Sequence, residues 1–163
     1  MEQIRSNFRD ILHDLKDESN FIIKFKYGSL FSDLIVAEYT EQDDPNEWLS
    51  SDNQLIHAFE DIFTCNSDYN LLTLYRGTDY YTNLSVGNII DYTDRFVSWS
   101  SRIDAAIRFT STNIIFRVTG KLRTLTTTII PNEAEHIMKG GKFIVTEVRS
   151  EDNVSIYELL PIF

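Results

Sequence analysis

From Leu71 onward the chain consists of short apolar, β-branched and aromatic runs separated by turn formers, a texture that only a β-rich core accommodates. Leu71–Tyr75, Phe96–Trp99, Ile114–Thr119, Leu122–Ile130, Glu133–Met138, Lys142–Val148 and Val154–Leu160 are the expected strands. One helix is expected among them. Ser101-Arg102-Ile103-Asp104 has the spacing of a capping box, and Ala105-Ala106-Ile107 suits a short buried turn. Gly140-Gly141, between Lys139 and Lys142, predicts a two-residue hairpin, because glycine reaches positive φ without steric penalty. That hairpin would run Glu133–Met138 antiparallel to Lys142–Val148.

Upstream the period changes. Ile4, Phe8, Ile11, Leu12 and Leu15 form a helical stripe over residues 2–17, and Leu30, Phe31, Leu34 and Ile35 repeat at helical spacing; Phe21–Tyr27 between them fits either strand or helix. Asp44-Pro45-Asn46-Glu47 reads as an N-cap, a first-turn proline and a third-position carboxylate. Ser51 or Asp52 then caps a segment whose face is Leu55, Ile56, Phe59, Ile62 and Phe63. The expectation is an α+β fold in one domain: a helical lobe over residues 1–70, then a mixed or antiparallel β core of two packed sheets over 71–163.

At 163 residues the chain is one domain's worth. No apolar run reaches the length of about 18 residues that spans a bilayer, and the N-terminus lacks a charged start before an apolar stretch, so a cytoplasmic protein without membrane association is expected. The lone Cys65 cannot close an internal disulfide, and three scattered histidines offer no zinc spacing; no metal is expected. The net charge of −10 is lopsided. Residues 1–70 carry 15 acidic and 5 basic side chains, whereas residues 71–163 carry 10 of each. The second part would not repel an anionic ligand. The acidic first part reads either as a solubilising face or as a surface for a basic protein, an antitoxin included.

Glu133-Ala134-Glu135 puts two carboxylates on one face of a strand, which costs free energy unless a cation, a proton or a substrate compensates. Upstream of it lie Tyr75-Arg76-Gly77, then Ser98-Trp99-Ser100. Arginine holds phosphate through paired, charge-assisted hydrogen bonds. Taken singly, each feature has a plainer reading: an arginine paired with an acid, a turn glycine, serines capping a helix, two exposed strand carboxylates.

Taken in order, these segments resemble the mono-ADP-ribosyltransferases of the arginine-serine-glutamate class, which include small phage and bacterial toxins. The resemblance covers about Leu71 to Val148. Tyr75-Arg76-Gly77 matches the first core strand, Val86-Gly87-Asn88-Ile89-Ile90 the turn before the serine strand, Ser98-Trp99-Ser100 and Arg102–Phe109 that strand and its helix, and Glu133–Val145 the Glu-x-Glu strand, its turn and the return strand. Trp99 departs from the usual threonine, and Thr110–Asn113 is a short link.

The resemblance implies an ADP-ribosyltransferase-like fold and NAD as substrate. Arg76 grips the pyrophosphate or ribose, Gly77 approaches the nicotinamide amide, and Ser98 orients Glu135, with Ser100 beside it on the same face. Glu135 stabilises the oxocarbenium-like ribose, and Glu133 positions or deprotonates the acceptor. Trp99 and Phe109 offer aromatic faces to nicotinamide, at least one of them being core instead. A glutamate at position 133 accompanies arginine acceptors, so protein arginine is the leading acceptor. RNA is a rival, which a basic groove near Arg117, Lys121, Arg123, Lys139 and Lys142 would support. An NAD glycohydrolase and a noncatalytic binding protein with a vestigial site are the others.

Overall fold

The computed structural model describes residues 35, 36, 39, 42, 44–51, 53–79, 83–126 and 135–162. The stripe over 2–17, the Phe21–Tyr27 run, Glu133 and residues 127–130 lie outside the described residues. The chain divides into two compact units, Met1–Asn66 with Thr127–Ile130, and Ser67–Thr126 with Pro131–Phe163.

In the first unit Ile35, Val36 and Tyr39 are helical, followed by α1 (Pro45–Ser50) and α2 (Asn53–Asn66). Asp44 caps α1, accepting the Glu47 N–H at 3.2 Å, and Pro45 sits where a missing amide costs nothing. Ser51, one of the two residues expected to open the next helix, closes this one by donating its hydroxyl to the Trp48 carbonyl at 2.6 Å; the other, Asp52, lies outside the described residues. The apolar face of α2 is Leu55, Ala58, Phe59, Ile62 and Phe63, all buried, and Phe59 stacks on Tyr39 with centroids 4.8 Å apart. Ile56 is at the margin of that face, half-buried.

The second unit holds β1 (Asp68–Thr78), β2 (Ile89–Asp91), β3 (Phe96–Ser100), α3 (Ile103–Ile107), β4 (Ile114–Thr126), β5 (Glu135–Lys139), β6 (Lys142–Glu151) and β7 (Val154–Ile162). Their hydrogen-bonded order is β1-β3-β5-β4-β7-β6-β2, with β1 also pairing β4. The network is mixed, since β4 and β7 run parallel and the other pairs antiparallel.

Three expectations are corrected here. Ile114–Thr119 and Leu122 onward are one strand, because β1 pairs with β4 residue for residue from Thr78↔Ile114 to Asp68↔Thr124, straight through Gly120 at φ +152°. The two sheets are one connected network. β4 is long enough to hold β7 along Ile114–Val118 and β5 at Leu125–Thr126, while β3 reaches β1 at Tyr75↔Ser100. Gly140-Gly141 does not close a hairpin, because β5 pairs with β3 and β4 whereas β6 pairs with β7 and β2. Both glycines have positive φ, as a tight corner requires, but the corner passes from one arm of the network to the other. Its amide and carbonyl are taken by the segment before β3: Gly140 N–H donates to Arg95, and Gly141 accepts from Tyr92.

One core lies between these arms. Leu74, Ile90, Tyr92, Val97, Trp99, Phe116, Val118, Leu122, Met138, Phe143, Val145, Tyr157 and Leu159 form it, so every strand supplies at least one inward side chain. The opposite, outer side of β1, β4 and β7 is covered at one end by α3, where Ala106 packs with Ile115, Val154 and Ile156. The capping box expected at the start of α3 is not made. Asp104 is held by the Arg102 guanidinium instead, and the Arg102 N–H donates to the Ser100 hydroxyl at 3.1 Å.

Candidate active site

Alternation along β1 decides where the arginine goes. Leu74 and Thr78 are buried, and Arg76 lies between them on the same side, so its guanidinium enters on the core side of the sheet. There Nη1 donates to the Ser98 carbonyl at 2.9 Å, tying β1 to β3. The Arg76 Nε–H is buried without a hydrogen-bond partner among the described residues. A buried donor left unpaired costs free energy that an anionic oxygen would relieve, so the donor set fits a phosphate-bearing ligand. The Tyr92 ring lies under the guanidinium, 5.7 Å from centroid to Cζ.

On β3, Ser98 and Ser100 share a face, as the alternation predicts. The antiparallel register with β5 sets Ser100 directly opposite Glu135 and Ser98 opposite Ile137. Directly opposed side chains have Cβ atoms about 4.5–5.5 Å apart and diagonal ones about 7–8 Å. The serine beside Glu135 is therefore Ser100, which is buried, with Ser98 one step along on the same face. Spacing within either segment could not have told them apart, since register is a property of the pair. Glu135 is half-buried at the first position of β5.

The aromatic alternatives separate by exposure. Trp99 is 2% exposed and packs edge-on against Tyr92 and at a tilt on Phe143, so it takes the core role and offers no face to nicotinamide. Phe109 is 62% exposed, in the turn after α3. Gly77 has a structural reason in that same turn: a Cβ built on it would stand 2.1 Å from the Ala106 carbonyl oxygen and 3.3 Å from the Phe109 carbonyl carbon. The backbone that approaches Gly77 closely is that of α3 and its following turn.

His136 projects away from Glu135, its Nδ1 3.0 Å from the Thr124 hydroxyl, and burial pulls its pKa down. The basic groove does not form beside Arg76. Arg117, Lys121 and Arg123 alternate with the buried Phe116, Val118 and Leu122, which places them on the outer side of β4. Arg117 is there paired with Glu158, which also holds Arg149.

Two residues that no motif marked lie beside Arg76-Gly77-Thr78. Tyr92 is one. Asp79, just beyond Arg76-Gly77-Thr78, is the other: its exposed carboxylate accepts from the hydroxyls of Thr110, Ser111 and Thr112 and from the amides of Ser111 and Thr112, at 2.8–3.1 Å. The Thr110-Ser111-Thr112 hydroxyl run was the sequence signal for such an acceptor. These bonds, that from Thr110 foremost, hold the Asp79 carboxyl well below its ordinary 3.8. A depressed folded-state pKa contributes stability that is present above the ordinary value and lost as pH falls through the folded one. Asp79→Ala is accordingly expected to release the 110–112 turn at neutral pH, read as lost hydrogen-exchange protection at the Ser111 and Thr112 amides. Unchanged protection there would show that the turn holds itself.

Among the described residues no group of three or more His, Cys, Asp or Glu is placed to hold a metal, and no helix is long and apolar enough to cross a membrane.

Neither a protein-family model nor a curated protein sequence matches the chain. Solved structures do. The Vis toxin, an ADP-ribosyltransferase from Vibrio splendidus, superposes with a TM-score of 0.57 at 17% identity, over 99% of this chain and 86% of its own; Vis has also been solved in complex with agmatine. C3stau2 from S. aureus, solved with NAD, gives a TM-score of 0.64 at 14% identity over 89% and 97%. The Clostridium limosum C3 exoenzyme gives 0.60 at 14% over 86% and 88%. The fold of the chain is that of the mono-ADP-ribosyltransferase toxins.

Proposed function

We propose that the protein is an NAD-dependent mono-ADP-ribosyltransferase whose preferred acceptor is protein arginine. The observation that carries the reading is the junction of β1, β3 and β5, where Arg76 bonds the Ser98 carbonyl and Ser100 faces Glu135 within this fold. Arg76 holds the NAD pyrophosphate through its remaining N–H donors, with Ser98, Ser100 and the backbone at Gly77 around the ribose and nicotinamide, and Phe109 as the aromatic candidate. The bond from ribose C1′ to nicotinamide breaks, its electron pair leaving with nicotinamide. The half-buried Glu135 carboxylate stabilises the positive charge that develops on the ribose. A guanidinium nitrogen of the acceptor bonds to C1′ and loses a proton to Glu133.

Arginine is favoured over RNA on one ground: agmatine, the ligand of one Vis structure, carries the guanidinium group of arginine. NAD labelled in its ADP-ribose part, incubated with the protein and a cell lysate, should leave label that protease removes and nuclease does not. Label removed by nuclease would move the acceptor to RNA, release of free ADP-ribose alone would make the protein a glycohydrolase, and no NAD consumption would leave a binding protein.

Arg76→Lys is expected to weaken NAD use although it keeps the charge, because the planar fork is lost. The scale for a hydrogen bond to a charged group is about 1.5–3 kcal/mol, or roughly 10- to 150-fold in kcat/KM. Wild-type kinetics in a folded Arg76→Lys would remove this residue from the site.

A further inference from the structure

We infer that Tyr92 is a positioning residue for NAD binding: it holds the Arg76 guanidinium in the orientation that meets the ligand's phosphates. The inference rests on the transferase reading above. Arg76 is half-buried and, among the described residues, makes one hydrogen bond, Nη1 to the Ser98 carbonyl, so that single contact leaves the group free to rotate about it. The Tyr92 ring under the guanidinium supplies the second constraint, since a cation over a π-face is attracted to it and resists swinging away.

Tyr92 is itself immobilised. Its N–H donates to the Gly141 carbonyl at 2.8 Å and its carbonyl accepts from Arg95 at 3.1 Å, so the backbone is pinned on both sides. Its ring stands edge-on to Trp99 and Phe143, at 6.4 and 6.2 Å between centroids, and the residue is 4% exposed. This gives the Gly140-Gly141 corner and the buried Trp99 a bearing on the site: they fix the tyrosine, the tyrosine fixes the arginine, and the arginine's unpaired Nε–H is held ready. Preorganisation of this kind lowers the cost of binding and leaves the chemical step alone.

The experiment replaces Tyr92 by phenylalanine and by mono-, di- and trifluorinated phenylalanines, which preserve ring shape and core packing while withdrawing π density step by step. Nicotinamide release is measured against NAD concentration, after circular dichroism of each variant. The expected result is a KM for NAD that climbs with fluorination to about ten-fold, with kcat at saturating NAD changing far less. A KM that is flat across the series overturns the proposal, as does a parallel fall of kcat and melting temperature, which would mark a merely structural role. Absence of NAD cleavage in the wild type would instead overturn the transferase reading and take this one with it. Tyr92→Leu, which removes the ring altogether, is the second variant. KM raised in it at least as far as in the trifluorinated protein supports the inference, and a KM equal to that of the phenylalanine variant overturns it.

Discussion

Glu135→Gln is expected to abolish nicotinamide release and acceptor labelling together. Glutamine keeps the shape of the side chain opposite Ser100 and can still accept a hydrogen bond, so the strand pairing of β3 with β5 survives and circular dichroism should match the wild type. What disappears is the negative charge. In the proposed reaction that charge is needed when the ribose acquires positive charge, a demand common to every acceptor including water. Losing one preorganised electrostatic partner of a transition state costs about 10²–10³-fold in kcat. Glu133→Gln should behave differently. If Glu133 accepts the proton of the attacking guanidinium, its loss depresses arginine labelling by about 10²–10⁴-fold while NAD hydrolysis falls much less, because water is small and needs little positioning. Both activities falling equally in Glu133→Gln would sink the division of roles, and full activity in a folded Glu135→Gln would sink the transferase reading.

Gly77→Ala is expected to have the largest effect on stability. The added methyl would sit 2.1 Å from the Ala106 carbonyl oxygen, a backbone atom in a helix turn that cannot swing aside as a flexible side chain would. Either β1 or α3 must move. α3 is anchored on the outer side of the sheet through Ala106, Ile115 and Ile156, so the move opens that satellite core. Overpacking of this kind costs about 1–3 kcal/mol, which in a chain of 163 residues lowers Tm by roughly 2–12 °C. The same variant tests two reasons for the glycine against each other. A lowered melting temperature assigns it to the close passage of β1 beneath α3, whereas an unchanged melting temperature with weakened NAD binding would assign it to the ligand.

These two residues also illustrate what was legible from the chain alone. Alternation of period 2 marked the strands because each has one buried face, and the period near 3.6 marked α2 for the same reason. Asp44-Pro45 marked the start of α1 because capping is local chemistry. The order Arg76, Ser98, Ser100, Glu135 was legible too, being a matter of residue type and spacing.

Everything that depends on which strand lies beside which was decided by the tertiary structure. Gly140-Gly141 has the residues of a hairpin, and glycine satisfies a corner between two arms equally well, so the local preference could not choose. Gly120 reads as a break, yet continuous pairing with β1 carries β4 through it. The capping box before α3 lost to a stronger partner, since the Arg102 guanidinium takes the Asp104 carboxylate. Ser100 rather than Ser98 faces Glu135 because strand register is set by the fit of two inner faces, with Val97 opposite Met138. Tyr92 and Asp79 acquired their partners through contacts between segments well separated along the chain, the one with Arg76 and Gly141, the other with Thr110–Thr112. Local sequence determines which elements form and which faces are apolar, because those follow from side chains a few residues apart. The candidate residues lie on three strands, β1, β3 and β5, and only the pairing of those strands decides which are neighbours: Ser100 stands opposite both Tyr75 and Glu135, while Arg76 projects from the other side of β1 and reaches the Ser98 carbonyl.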